Sequence, residues 1–167
     1  MASTGGDPYL LFRAGSYDLA VPAAKVRHLE LRVTPFRLEG APSWLAGMVE
    51  LADRGIPVVD VARRMGMPPD SGPNSEQTVI ILENPRQGGP FPEIGLLVER
   101  IADTVRIRVA DARQLRRSSS LPIRDWVEGA YRGRSRATYL LDLEKLIPAE
   151  IALLLDHKEW REILDSV

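Results

Sequence analysis

The chain has 167 residues, 44% hydrophobic and 27% charged, with a formal net charge of −1. A chain of this length buries about two thirds of the surface its unfolded form exposes, enough for one compact domain, and the composition is not that of a disordered segment. Near-neutral charge argues against an extended polyanion-binding face, and the absence of cysteine excludes disulfides, thiolate metal sites and a cysteine nucleophile.

The start, MASTGGDPYLLF, is polar and glycine-containing, reads as a frayed end and lacks the pattern of a secretory signal. No stretch approaches the roughly 20 uninterrupted apolar residues of a membrane helix, so a cytoplasmic protein without membrane insertion is expected. Tyr9–Arg13 and Tyr17–Val21 read as a hairpin around Ala14-Gly15-Ser16. Ala23–Leu29 fits one helical turn or a continuing strand, and periodicity does not decide between them. Leu45–Leu51 and Ile56–Val61 form a second hairpin with Asp53-Arg54-Gly55 at its tip. Its short continuous apolar runs suit strands buried on both faces.

Val61–Met65 allows a turn or so of helix, and the proline- and glycine-rich stretch 66–75 is a loop. Thr78–Glu83, Ile94–Val98 and Thr104–Val109 read as strands, and Ala110–Asp125 as a basic segment containing a loop. Val127–Tyr131 and Ala137–Leu141 make a last hairpin. Pro148-Ala149-Glu150 then opens a helix over 149–165, proline suiting the first turn and Glu150 the positive end of the dipole. Trp160, Ile163, Leu164 and Val167 recur there at helical spacing, giving either a lid on the fold or a partner-binding face.

The two later hairpins are similar. Gly47 lies thirteen residues before Asp60 in GMVELADRGIPVVDV, and Gly129 thirteen before Asp142 in GAYRGRSRATYLLDL. LAVPAAKV (19–26) aligns without a gap on IGLLVERI (94–101). A duplicated all-β unit follows, two curled sheets of about five strands each.

Few residues suggest chemistry. Asp60 and Asp142 could be a duplicated carboxylate pair of the aspartic-protease kind, but their followers, Val61-Ala62 and Leu143-Glu144, suit a strand end capping the next turn. Ser118-Ser119-Ser120 has no nucleophile elbow, and His28 and His157 lack metal-ligand spacing. Arg113, Arg116, Arg117, Arg124, Arg132, Arg134 and Arg136, with Trp126 and Tyr131 nearby, leave a nucleic-acid-binding small β-barrel as the alternative function.

The segment APSWLAGMVELADRGIPVVDVARRMGMP resembles the hallmark of CheW-like domains, the coupling modules of bacterial chemosensory arrays. There a proline-containing approach leads into Gly-Val-x-Asn-Leu-Arg-Gly and then Pro-Val-[VI]-Asp-Leu. The likeness continues in YLLFRAGSYDLAVPAAKV, IGLLVERIADTV and YLLDLEKLI, and covers Tyr9 to Ile147. It implies a mainly β fold of two packed five-stranded SH3-like β-barrels with a C-terminal α-helix. One domain spans 8–147, with barrels at roughly 16–82 and 83–147, and the helical segment takes 148–167.

The resemblance further implies a non-enzymatic adaptor without cofactors, monomeric when isolated. It would bridge the cytoplasmic tips of methyl-accepting chemoreceptors to the regulatory domain of a CheA-type histidine kinase, with no role for nucleic acid. Val26, Gly47 and Met48 fall where the family contacts its partners, as do Val98 and Ile101. Val26, Val98 and Ile101 equally suit a core, and Gly47 equally suits the relief of a crowded strand. Two departures stand out: His28 replaces the usual acidic residue two places after the valine, and Ala52 the turn arginine, with Arg54 two places on. Changed partners are the expected consequence.

Overall fold

The computed structural model describes residues 5–68, 77–86, 88–113, 120–133 and 136–151. Among the described residues ten strands carry the fold. In chain order, β1 (Asp7–Ala14) and β2 (Tyr17–Pro22) form a hairpin; a 3-10 turn at Ala23–Lys25 then leads into β3 (Val26–Leu31). Next come β4 (Leu45–Leu51), β5 (Arg54–Asp60), the single-turn helix α1 (Val61–Arg64), β6 (Thr78–Glu83) and β7 (Glu93–Val98). They are followed by β8 (Arg100–Ile107), β9 (Val127–Arg132), β10 (Ala137–Leu141) and the single turn α2 (Leu143–Leu146).

The strands form two five-stranded sheets, ordered β8-β1-β2-β10-β9 and β3-β6-β7-β5-β4. This is the mainly β, two-barrel architecture expected from the repeat. The sheets do not divide the chain at residue 82, however. One uses the contiguous stretch 26–98, while the other joins β1 and β2 to the last three strands. The connection from β2 to β3 crosses between sheets, and so does the connection from β7 to β8. These are the LAVPAAKV and IGLLVERI segments, so each sequence repeat begins in one sheet and ends in the other.

The repeats occupy equivalent places in detail. β5 lies parallel to β7 as β10 lies parallel to β2. The Asp60 N–H donates to Trp44 O at 2.8 Å, and the Asp142 N–H to Trp126 O at 2.9 Å. Burial follows the pleat, since successive side chains leave a strand on opposite faces. One face of each sheet feeds a large shared core containing Phe12, Leu19, Met48, Ile80, Leu96 and Leu146. The other faces line the separate barrel interiors, Val49, Ile56, Val58 and Val79 in one and Tyr9, Ala20, Ile107 and Leu140 in the other.

Arg64, at the end of α1, ties the halves together. Its guanidinium lies 5.0 Å from the Trp44 ring and 4.7 Å from the Trp126 ring, and its Nε donates to Leu146 O at 2.9 Å. A planar cation can face two aromatic rings and still donate in its own plane.

Three sequence boundaries shift. The tip of the second hairpin is Ala52-Asp53, because Arg54 already pairs with Leu51 as part of β5. β8 starts at Arg100 rather than Thr104 and ends at Ile107, and the basic segment after it contributes 3-10 turns at Val109–Asp111 and Arg124–Trp126. Of the helix expected over 149–165, only the residues through Ile151 fall within the described residues. Trp160, Ile163, Leu164, Val167 and His157 lie outside them, as do Arg116, Arg117, Arg134, Ser118 and Ser119. Among the described residues no helix is long and apolar enough to cross a membrane.

Candidate protein-docking surface

The two aspartates that raised the question of catalysis face their own helices. Asp60 Oδ1 accepts the Arg63 N–H at 3.2 Å, and Asp142 Oδ1 accepts the Lys145 N–H at 3.3 Å. Both are N-caps, the role a short polar side chain takes at a strand-to-helix corner. Among the described residues no group of three His, Asp or Glu side chains could hold a metal ion.

Gly47 has a structural reason to be glycine. Its φ is +140°, and a Cβ built there would lie 1.7 Å from Phe36 O. Phe36 and Met48 exchange backbone hydrogen bonds of 2.7 and 2.9 Å across that spot. Gly129 stands at the equivalent place beside Arg113, with a milder approach of 3.0 Å. Met48 and Val98 are buried in the shared core, and Val26 and Ile101 are half-buried against it. Ala52 and Asp53 form an exposed turn with φ of 48° and 64°. Arg54 is half-exposed and forms an ion pair with the largely buried Glu93. His28 is exposed on β3.

These residues do not gather in one patch. Val26 and His28 sit on β3, at one edge of the second sheet, while Gly47 and Met48 lie on β4, at its other edge. Ala52 and Arg54 belong to the adjoining hairpin tip, and Val98 and Ile101 to the β7–β8 crossing.

The feature that sequence patterning missed is the outer face of β3. The register slips between Val26 and His28, leaving Arg27 as a bulge. Val26, Leu29 and Leu31 therefore oppose Leu82, Ile80 and Thr78. Side chains opposed across an antiparallel pair share a face. The three form one apolar row that starts half-buried at the shared core and runs outward, Leu29 being 42% and Leu31 67% exposed. Phe36, which follows, is 40% exposed. Large apolar groups clustered on an edge strand mark an interaction surface more often than isolated ones do.

The duplicate edge is built differently. In β8 the slip falls at the equivalent place, with Ile101 opposite Phe12 and Asp103 opposite Leu11. The positions matching Leu29 and Leu31 are Thr104 and Arg106, so only the β3 copy of this edge carries an apolar row.

The CheW-like domain model matches residues 8–150, nearly the whole chain. The chain belongs to the CheW-like domain family. Among similar CheW proteins, the chemotaxis protein CheW of Rhizobium meliloti is 23% identical over 148 residues, covering 89% of this chain and 92% of the relative. The chemotaxis protein CheW of Klebsiella aerogenes is 22% identical over 154 residues, covering 92% and 89%. The crystal structure of the scaffolding protein TtCheW from Thermoanaerobacter tengcongensis superposes with a TM-score of 0.72 at 18% identity, covering 85% of this chain and 92% of that one. At that identity the superposition bears on the fold alone, and the fold agrees. Proteins of the CheW family are chemotaxis scaffolds, and in this chain Asp60 and Asp142 serve as helix caps.

Proposed function

We propose that this chain is a cofactor-free adaptor that couples methyl-accepting chemoreceptor tips to the regulatory domain of a CheA-type histidine kinase in cytoplasmic receptor arrays. The observation that carries the proposal is the apolar row Val26, Leu29 and Leu31 on an edge strand of a CheW-like chain. An exposed strand edge with an apolar face and a rim of Arg27, His28 and Glu30 suits docking of a second protein, where a small apolar centre excludes water and a polar rim sets register. His28 and Ala52, the two departures from the family pattern, lie on exposed sites where they select among kinases without altering the core.

Calorimetric titration of the purified chain against each CheA-type regulatory domain of the same genome tests this. Binding at micromolar affinity or tighter is expected for at least one. Leu31→Glu should weaken it about tenfold or more, because a charge would be buried without a partner. The double variant His28→Glu/Ala52→Arg should bind a standard CheA-type domain more tightly. Absence of binding to every such domain would overturn the coupling role.

A further inference from the structure

The duplication provides an internal comparison between the two barrel interiors. In the barrel built on β3–β7, the side chains at four matched places are Val79, Leu97, Val58 and Ala46, and they pack as an apolar cluster. The strand registers place Tyr9, Pro22, Leu140 and Glu128 at the same four places in the other barrel. Where one copy is filled with hydrocarbon, the other has a phenol, a carboxylate and a cavity of about 360 Å³.

The floor of that cavity is apolar, with Tyr9, Ala20 and Leu140, and its mouth is acidic, with Glu128, Asp142 and Glu144. Tyr9 is only 8% exposed, yet its hydroxyl has no hydrogen-bond partner among the described residues. The hydroxyl oxygen is open to the cavity rather than sealed from solvent, so an incoming donor can reach it there. Two lysines lie near, Lys25 in the lining itself, and each already has a carboxylate partner, which for Lys145 is Asp142 at the mouth. Lys25 Nζ is 3.8 Å from Glu83, and Lys145 Nζ is 4.0 Å from Asp142. Glu128 and Glu144 have no ion pair among the described residues. Burial, then the neighbouring Asp142 and Glu144, push the Glu128 carboxyl above its ordinary value against the opposing pull of Lys145. Burial, then Glu128 and Asp7, do the same to the Tyr9 phenol. The cavity thus has an excess of negative charge and acceptors.

We infer that this cavity is an anchor site for an arginine side chain of a partner protein. A guanidinium supplies five donors in a plane and a permanent charge, fits the volume, and can lie against the Tyr9 ring while donating to its hydroxyl and to the carboxylates at the mouth. A metal ion is disfavoured by the absence of any suitable ligand triad among the described residues. An apolar ligand would leave the phenol and carboxylates unpaired. The site is distinct from the β3 edge and does not rest on the kinase-coupling role.

The test is an NMR titration of the ¹⁵N-labelled full chain with Nα-acetyl-arginine N-methylamide, with the citrulline analogue as neutral isostere and the lysine analogue as the alternative cation. Saturable shifts in the millimolar range are expected at the Tyr9, Glu128 and Leu140 amides, with none from citrulline. Tyr9→Phe and Glu128→Gln should each weaken binding about 3- to 10-fold, the loss of one hydrogen bond or one charge, while the remaining spectrum stays dispersed. No saturable shift at about 50 mM probe, an equal response to citrulline, or unchanged affinity in both variants would overturn the anchor site. Equal affinity for the lysine analogue would overturn its assignment to arginine.

Discussion

Asp60 shows how one side chain can be favourable as a hydrogen-bond acceptor and unfavourable as a charge. Its carboxylate caps α1, but burial raises its pKa above the ordinary 3.8, outweighing the Arg63 and Ala62 N–H groups and the Arg63 charge that pull it down. A raised carboxyl pKa means the folded state holds the proton more tightly than the unfolded chain. Its contribution to stability therefore falls as pH rises through the window between 3.8 and the folded value, and is regained as pH drops below 3.8. Asn caps as well as Asp without the charge. In urea unfolding, Asp60→Asn should match or exceed the parent at pH 7, with the difference shrinking as the pH approaches about 4, whereas Asp60→Ala should lose about 1 kcal/mol at pH 7. An Asn variant that is less stable at pH 7, by an amount independent of pH, would show that the charge itself is favourable. The cap was legible in the sequence because strand, Asp and helix turn are neighbours along the chain. The pairing of Arg54 with Glu93 and the exposure of the Tyr9 hydroxyl to a cavity were not, because both depend on strand registers that no local pattern encodes.

Among the elements, the β4–β5 hairpin was read almost correctly and β3 was not, for physical reasons that can be named. β4 and β5 carry continuous apolar runs on both sides of a turn, whereas β3 contains a bulge that changes its apolar spacing from two to three between Val26 and Leu29. β8, exposed along most of its length and bulged at Ala102, lost its first four residues in the sequence reading for the same reason. The hairpin's own irregularity is its tip. Ala52 and Asp53 both occupy the left-handed region, as a two-residue type I′ turn demands. Ala fits that region poorly, while Asn-Gly suits it. Replacing Ala52 with Asn and Asp53 with Gly should raise stability by about 1 kcal/mol, seen as a higher urea midpoint at unchanged slope. A lower midpoint would mean that the exposed turn makes a contact these residues alone provide.

At the scale of the whole molecule, the sequence revealed two repeats and two barrels but not that the repeats exchange strands. Similarity along the chain reports which residues share a role; it cannot report whether β2 pairs within its own repeat or across. The exchange has a consequence for folding. Residues 5–68 supply β1 and β2 to one sheet and β3, β4 and β5 to the other, and residues 77–151 complete both. Neither half contains a full barrel, and the shared core, the Trp44–Arg64–Trp126 stack and the bonds from Arg64 to the α2 carbonyls all need both. A chain divided within 69–76 should therefore give two fragments, each unfolded when alone, since a sheet missing its central partners exposes apolar faces and unpaired edges. Mixed at equal concentration, they should recover the dispersed amide spectrum of the intact protein, with a stability that rises with concentration as a bimolecular equilibrium requires. In the mixture, Arg64→Ala should weaken association by about tenfold, because it removes the cation–π contact with Trp126 and the carbonyl bonds that cross between fragments, Trp44 lying in the same fragment as Arg64. If either fragment alone were to give a dispersed spectrum and cooperative unfolding, each repeat would be able to close its own barrel, and the strand exchange would be a late arrangement rather than the basis of the fold.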